Sequence, residues 1–351
     1  MAKVIATNPL VSVTIHNYNG LHRLRYCLLS VLESDYLNFE VVVVDALTNG
    51  IDQWLKSRFQ DVKLLHFNRD DGIPARRNAG FRAISSNSKY VIFMDEDVTV
   101  SKNWLSLLIE AMESDPTIGA AQPIMLSTRE GGEIDNAGCY IDFFGYPHRV
   151  DTSKQDALGT HTHDVSYAET AAVLVRREIL NKLPNSHEPF DPDYFVHWYD
   201  IDLCWKILLS GYRVVIVPRS KVYHERRLSA GSGRLPYKNI FTNTRNRLVT
   251  LIKNYSLWNL ARFVPPFIGL ELTRTVVLLK RRPTHAVATL HGIFWVLWNL
   301  KSIMKKRAVV QKMVRKVPDS YVTARFLRPN LLRLYHDFQK NYATKSRINE
   351  F

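Results

Sequence analysis

The stretch Tyr90-Val-Ile-Phe-Met-Asp-Glu-Asp-Val-Thr99 constrains this chain more than any other. An apolar run from Tyr90 to Met94 stops at three acids, Asp95, Glu96 and Asp97. With no polar residue inside it, the run reads as a buried parallel strand. In open α/β sheets ligands bind outside the carboxyl ends of strands, where these acids fall. Adjacent carboxylates repel one another, and a divalent cation relieves that. Oxygen ligands suit Mg²⁺ or Mn²⁺, ions usually shared with substrate phosphates. The competing reading is a solvated turn capping a helix over Trp104 to Met112.

The neighbouring segments repeat the pattern. Val11 to Ile15 is a strand running out at His16-Asn-Tyr-Asn-Gly20, and Leu21 to Leu32 has helical spacing. Phe39 to Asp45 is a second buried strand that ends in an acid. A helix over Asp52 to Phe59, a strand over Val62 to His66, and a helix opened by Asp70 to Gly80 lead to the Tyr90 strand. Strand–helix alternation over about the first 125 residues predicts a doubly wound, mostly parallel sheet with helices on both faces. Asn17 and Asn19, Asp45, and Asp95 to Asp97 then share one edge, which implies a crevice. No Gly-x-Gly-x-x-Gly follows the first strand and no Gly-x-x-x-x-Gly-Lys-Ser/Thr occurs, against a dinucleotide-binding dehydrogenase and a P-loop.

Residues 127–165 are polar, contain glycine and show no clear period. Glu169 to Val175 reads as a strand or the approach to one. Residues from Phe190 to Lys206 lead into a helix with Ile201, Cys204, Ile207 and Leu208 on one face and Gly211 as its stop. Asp200 and Asp202 are two apart and cannot share a helical face, so at most one points into a site. Tyr212 to Pro218 is the next strand, followed by Val222-Tyr-His-Glu225.

Taken together, these residues resemble an inverting nucleotide-sugar glycosyltransferase of family 2, over about residues 9–255. The resemblance implies a GT-A (Rossmann-like) fold with a nucleotide-sugar half (about 1–125) and an acceptor half (about 126–255). Val11 to Gly20 is similar to the family's first strand and nucleotide-contacting turn, with Asn17 and Asn19 there. The resemblance puts Asp45 against the base, and Ala75-Arg-Arg-Asn-Ala-Gly80 puts Arg77 and Asn78 near the nucleotide. Asp95-Glu96-Asp97 matches its Asp-x-Asp motif, the first acid near the ribose and Asp97 on the metal. Asp200 corresponds to the catalytic base, and Trp198, Tyr199 and Asp202 become acceptor-side or supporting candidates. His224 matches a histidine near the metal and diphosphate. Arg245-Asn-Arg247 and Lys253-Asn254 resemble a segment of members acting on lipid-linked sugars. Two departures stand out: Tyr199 replaces the usual Glu before the base, and Glu169-Thr-Ala171 lies where the family favours Gly.

The chemistry this implies is a single displacement with inversion. One base removes the acceptor proton, and a Mn²⁺ or Mg²⁺ ion neutralises the leaving diphosphate. The expected donor is a GDP-, UDP- or dTDP-linked hexose, mannosyl or rhamnosyl favoured. The expected acceptor is a hydroxyl of a polyprenyl-linked glycan. A polyprenyl-phosphate glycosyltransferase is the nearer alternative. A sugar-phosphate nucleotidyltransferase is more distant, since Asn17-Tyr-Asn-Gly20 is no glycine-rich basic loop.

Charge divides the chain. Residues 226–351 hold 25 Lys+Arg against 4 Asp+Glu, while residues 1–225 hold 22 against 29. Basic tails meet nucleic acid or anionic lipid. The tail's aromatics sit within apolar runs, not interleaved with Lys and Arg, which disfavours nucleic acid. From 256 onward, Phe263 to Leu279 is largely apolar and Pro283 to Leu300 has no formal charge, with Lys280-Arg-Arg282 between them and Lys301, Lys305, Lys306 and Arg307 beyond. An amphipathic helical hairpin in the membrane interface explains this, against a packing subdomain or a thin span. Three scattered cysteines, Cys27, Cys139 and Cys204, suggest a reducing compartment. The N-terminus lacks a signal-peptide core. The expectation is a cytoplasmic enzyme held peripherally on the cytoplasmic membrane face.

Overall fold

A computed structural model describes residues 8–128, 133–150, 159–185, 187–225 and 236–327. Residues 226–235 and 328–351, which carry part of the tail's basic charge, lie outside the described residues. The first half alternates as the sequence predicts: β1 (Val11–Tyr18), α1 (Leu21–Leu32), β2 (Phe39–Ala46), α2 (Ile51–Arg58), β3 (Lys63–Phe67), α3 (Ile73–Ala83), β4 (Tyr90–Asp95), β5 (Val98–Val100), α4 (Trp104–Ser114) and β6 (Ile118–Ser127). Next come the short strands β7 (Ile134–Asn136), β8 (Cys139–Ile141), β9 (Pro147–Arg149) and β10 (His163–Asp164). β11 (Ala172–Arg176), α5 (Arg177–Asn181), α6 (Tyr199–Leu209) and β12 (Arg213–His224) complete the sheet region.

The main sheet runs β10-β12-β6-β11-β4-β1-β2-β3, with β5 on β12 and β7 on β6. β1 pairs in parallel with both β2 and β4, so the strand order reverses at β1 and its carboxyl end opens a crevice. β11 enters antiparallel between β4 and β6, making the sheet mixed. Side-chain alternation divides the core in two. Val11, Val13 and Ile15 pack with Val41, Val43 and helices α1, α2 and α4 on one face. Val42, Val44, Val91 and Phe93 pack with α3, α5 and α6 on the other.

Two glycines mark where main chain must approach closely. Gly80 in α3 lies so near β2 that a Cβ would stand 2.9 Å from a Val44 methyl. Gly72, at φ +87°, abuts the Phe195 backbone, where a Cβ would stand at 2.8 Å. That contact, with Ile73 N donating to Phe195 O at 2.8 Å, ties the start of α3 to the loop before α6.

The described part of the tail is helical: α7 (Tyr237–Asn254), α8 (Leu257–Arg281), α9 (Pro283–Trp298), α10 (Leu300–Val309), which runs into one π turn, and α11 (Asp319–Thr323). α7 packs against α6, α9 and α10. None of the described helices is long and apolar enough to cross a membrane. The α8–α9 hairpin nevertheless turns large apolar side chains outward: Val276 is 66%, Phe294 60%, Leu297 61% and Trp298 79% exposed.

Candidate active site

A cleft of about 490 Å³ opens at the carboxyl ends of β1 and β4. One wall, which the sequence resemblance puts on the donor side, carries Asp95, Asp97 and His224; the other, with the acceptor-side candidates, carries Tyr167, Glu169, Thr170, Trp198, Tyr199 and Asp200. Asp97 and His224 are 127 positions apart in sequence but meet because β12 returns antiparallel to β5, pairing His224 with Val98. His224 Nε2 stands 3.5 Å from Asp97 Oδ1, and Asp135 Oδ2 lies 3.1 Å from Nδ1. A carboxylate on one ring nitrogen fixes the imidazole and directs the other toward the cleft.

Asp95 is held by Arg77. The Arg77 Nη2 donates to Asp95 Oδ1 at 2.6 Å and to Thr170 O at 3.0 Å. Burial raises the Asp95 carboxyl and Asp97 raises it further, while Arg77 opposes both. His16, 4.0 Å from Asp95, accepts from Arg76 Nε at 2.9 Å. Its pKa is well below the ordinary value because it is buried and faces Arg77 and Arg76, so it stays neutral.

Asp45 is fully buried at the end of β2 with both oxygens engaged. Oδ1 accepts from Asn17 Nδ2 at 2.5 Å and from the Thr48 hydroxyl, and Oδ2 accepts from Thr48 N and contacts His66 Nδ1 at 2.7 Å. Asp45 would reach a nucleotide base only by exchanging one of these partners. Asn17 Oδ1 is buried without a hydrogen-bond partner among the described residues. Asn19, at φ 50°, is exposed at the turn. Glu96 is buried on the side of Gly20 and α1 and does not line the cleft. Asn78 spends both amide ends on Phe190, donating to its O at 2.8 Å and accepting from its N at 3.0 Å. It fixes the strand-to-helix approach instead of lining the cleft.

The loop before α6 is strained. Phe195, His197 and Trp198 all have φ between 61° and 69°, a conformation costly for residues with side chains. α7 holds it there. Asn246 Nδ2 reaches the carbonyls of Tyr194, Val196 and His197 at 2.7–3.1 Å. Arg245 donates to Asp193 O and Tyr194 O, and Trp198 Nε1 donates to Asn243 Oδ1 at 3.2 Å. The loop delivers Asp200, half-buried in the first turn of α6, into the cleft. Burial, with the nearby charge of Glu169, pushes its carboxyl up to about 7, against Ile201 N–H and Arg77. A carboxylate poised there can accept a proton at neutral pH.

Tyr199 occupies the position before Asp200. Its hydroxyl accepts from Thr170 Oγ1 at 3.0 Å, and its ring lies under the Arg77 guanidinium at 5.8 Å. Asp202 points the other way, into a buried network. Oδ2 pairs with Lys206 at 2.8 Å and Lys253 at 3.1 Å, and Oδ1 accepts from Asn254 Nδ2 at 3.0 Å. These cations hold its carboxyl below the ordinary range despite burial. The two acids thus divide the helix as their spacing requires.

The donor side fits a divalent ion in one respect and limits it in another. Asp97 Oδ1 is buried without a hydrogen-bond partner among the described residues and sits beside His224 Nε2. Among those residues no group of three or more His, Cys, Asp or Glu closes on one point. That suits an ion completed by phosphate oxygens and water. Sequence reasoning missed His16, Asp135, Arg149 and Glu169. His16 lies within β1 and Glu169 just before β11, while Asp135 and Arg149 come from a stretch without periodicity, where the polar character of 127–165 was the one hint.

The matches to known proteins agree with this geometry. Residues 12–183 match the model for "Glycosyl transferase family 2". The chain is 28% identical over 167 residues to a pre-mycofactocin glycosyltransferase of Mycobacterium tuberculosis, covering 48% of this chain and 33% of that one. It therefore spans about a third of that relative's length. It is 22% identical over 300 residues to the dTDP-rhamnosyl transferase RfbF of Shigella flexneri, covering 82% and 96%. GalNAc-T7 with UDP, GalNAc and Mn²⁺ is similar at TM-score 0.62 and 17% identity, covering 96% of this chain and 58% of that one. A Pyrobaculum calidifontis mannosyltransferase with GDP-Man and Mn²⁺ is similar at TM-score 0.51 and 17% identity, covering 87% and 86%. Residues 12–183 match the family over just under half of the chain, and the glycosyltransferase relatives and the GT-A-like sheet with its acid-ended strands support a family 2 glycosyltransferase.

Proposed function

We propose that the protein is an inverting glycosyltransferase that moves a hexosyl group from a nucleoside-diphosphate sugar to a hydroxyl of a polyprenyl-linked glycan. The observation that carries this reading is Asp200: a carboxyl with a pKa of about 7, facing Asp95, Asp97 and His224 across one cleft. A nucleotidyltransferase has no use for a base opposite the phosphate-binding acids. Asp200 takes the proton from the acceptor hydroxyl as its oxygen attacks the anomeric carbon from the face opposite the diphosphate. Arg77 keeps Asp95 oriented to accept from the ribose. Asp97 and His224, the latter braced by Asp135, would hold a Mn²⁺ or Mg²⁺ ion. When bound, that ion neutralises charge developing on the leaving diphosphate. Asn17 and Asp45 shape the end of the crevice where the base lies. Similarity to a dTDP-rhamnosyl transferase over most of both chains favours rhamnosyl, and mannosyl is next.

The catalytic unit runs to about residue 255 and the basic helical region follows. The exposed apolar face of α8 and α9, beside Lys280 and Lys301, rests in the interface of an anionic bilayer and brings the cleft to its lipid-linked acceptor. The test uses the full chain with anionic vesicles carrying a polyprenyl-diphosphate glycan, each nucleotide sugar in turn, and Mn²⁺. Release of nucleoside diphosphate with an inverted anomeric linkage by NMR is expected from one donor. Retention of configuration, or nucleotidyl transfer to sugar phosphate, would overturn the reading.

A further inference from the structure

Two cavities lie behind the loop that leads into α6, and neither shares a lining residue with the cleft. The first, of about 300 Å³, is enclosed by α7, α9, α10 and that loop, and is lined by Arg245, Trp295, Ser302 and Lys306 among others. The second, of about 430 Å³, has apolar walls from Leu183, Pro189, Phe190, Val309 and Val310. Asp191 and Lys306 line both, so a polar chamber and an apolar one adjoin there. Each reaches the size range of ligand cavities, about 300–1,000 Å³.

The charges around this junction do not balance. Lys206, Lys253 and Lys306 pair with Asp191, Asp193 and Asp202, three cations against three carboxylates, at 2.6–3.1 Å. Arg245 is a fourth cation, and it is only 9% exposed. Its Nε donates to Asn246 Oδ1 and its Nη2 to the carbonyls of Asp193 and Tyr194, all neutral acceptors. Among the described residues no carboxylate stands within ion-pair reach of it, and Nη1 makes no hydrogen bond. The rings of Trp295 and Phe241 flank the guanidinium at 4.8 and 5.3 Å. A buried guanidinium without a counter-charge, in a ligand-sized cavity, calls for an anion.

We propose that these cavities bind a lipid phosphate, with the phosphate group at Arg245 and Lys306 and the first part of the apolar chain in the adjoining chamber. Asp191 and Asp193 do not oppose the anion with free charge, since Lys306 holds each at 2.6 Å. Ser302, exposed at the rim, adds a hydroxyl donor four residues after Trp298, whose ring is 79% exposed. The reading of α8 and α9 as a bilayer-facing hairpin supplies the source of the lipid, and the inference rests on it for that alone. Because the same guanidinium holds the Asp193 and Tyr194 carbonyls, the occupant is one hydrogen bond away from the loop that carries Asp200.

The experiment is calorimetry on the full chain with dihexanoyl phosphatidic acid below its micelle concentration. No metal is added, so the acids of the cleft do not recruit the phosphate. One saturable site per chain is expected, with dihexanoyl phosphatidylcholine, whose phosphate is capped by choline, at least about tenfold weaker. Ser302→Glu, which sets a negative charge at the rim, and Arg245→Gln should each weaken phosphatidic acid by about tenfold or more. Inorganic phosphate should compete but bind at least about tenfold more weakly, because it leaves the apolar chamber empty. Inorganic phosphate binding as tightly as the lipid would assign the site to free phosphate and overturn the lipid source. No saturable binding, equal binding of phosphatidylcholine, or binding unchanged in both variants overturns the proposal. If Arg245→Gln fails to fold, the exposed Ser302→Glu decides it. No nucleotide sugar is present, so this result and the transferase reading can fail separately.

Discussion

Replacing Asp200 by Asn should abolish transfer and stabilise the protein at the same time. The Asp200 carboxyl is raised from its ordinary 3.8 to about 7. The folded state then binds its proton more tightly than the unfolded chain does. Stability linked to this group is fully present below pH 3.8 and is lost as pH rises toward 7. Above pH 7 the ionised side chain costs up to about 4 kcal/mol, at about 1.4 kcal/mol per unit. Its partial exposure to the cleft reduces that to about 2–3 kcal/mol. Asn keeps an oxygen for the Ile201 N–H bond of 2.8 Å and carries no charge. Urea denaturation of the full chain should therefore show Asp200→Asn more stable by about 2–3 kcal/mol at pH 8 and nearly equal to the unsubstituted protein at pH 4. In the unsubstituted protein kcat/KM should fall tenfold per unit below pH 7, because only the ionised form accepts the proton. A variant less stable at pH 8, or equally stabilised at both pH values, would refute the argument.

Three further outcomes follow from the packing. Asn246→Ala removes a donor from three carbonyls of the strained loop; it should cost about 1–3 kcal/mol in thermal unfolding and lower kcat more than it raises donor KM. Lys253→Met strands Asp191 and Asp202 in the interior with Lys206 and Lys306 as remaining partners; a loss of about 3 kcal/mol should appear in urea melts. Phe294→Glu with Trp298→Glu removes two exposed rings from the hairpin face. Sedimentation with anionic vesicles should show binding weakened by at least about 100-fold, with nucleotide binding unchanged.

The crevice was legible because its parts are local. Each of β1, β2 and β4 is a buried run stopped by polar residues, and right-handed crossovers place those stops on one edge. Asp200 and Asp202 were separable because residues two apart on a helix diverge. The rest depends on contacts that no local pattern encodes. β11 slips antiparallel between β4 and β6, bringing Thr170 and Glu169 to Arg77 and Asp200. Asp135 and Arg149 arrive from short strands in a glycine-containing stretch with neither helical nor strand period. Asn78 sits beside the motif arginine in sequence, yet its partner is the backbone of Phe190, 112 positions on. Asp45 ends a strand as expected, but the sequence could not show that Asn17, Thr48 and His66 already occupy its oxygens. Exposure of the hairpin face follows from which helices α7 can cover, and that too is tertiary.

The central claim is that Asp97 and His224 carry a cation that joins the protein to a nucleoside diphosphate. Isothermal calorimetry with GDP-mannose, dTDP-rhamnose and UDP-GlcNAc, each with and without Mn²⁺, tests it most directly. Binding of one nucleotide class should require Mn²⁺, weaken at least about tenfold in Asp97→Ala, and persist in Asp200→Asn. Equal Mn²⁺-dependent binding in Asp97→Ala, or no binding of any nucleotide sugar by the folded chain, would contradict the account.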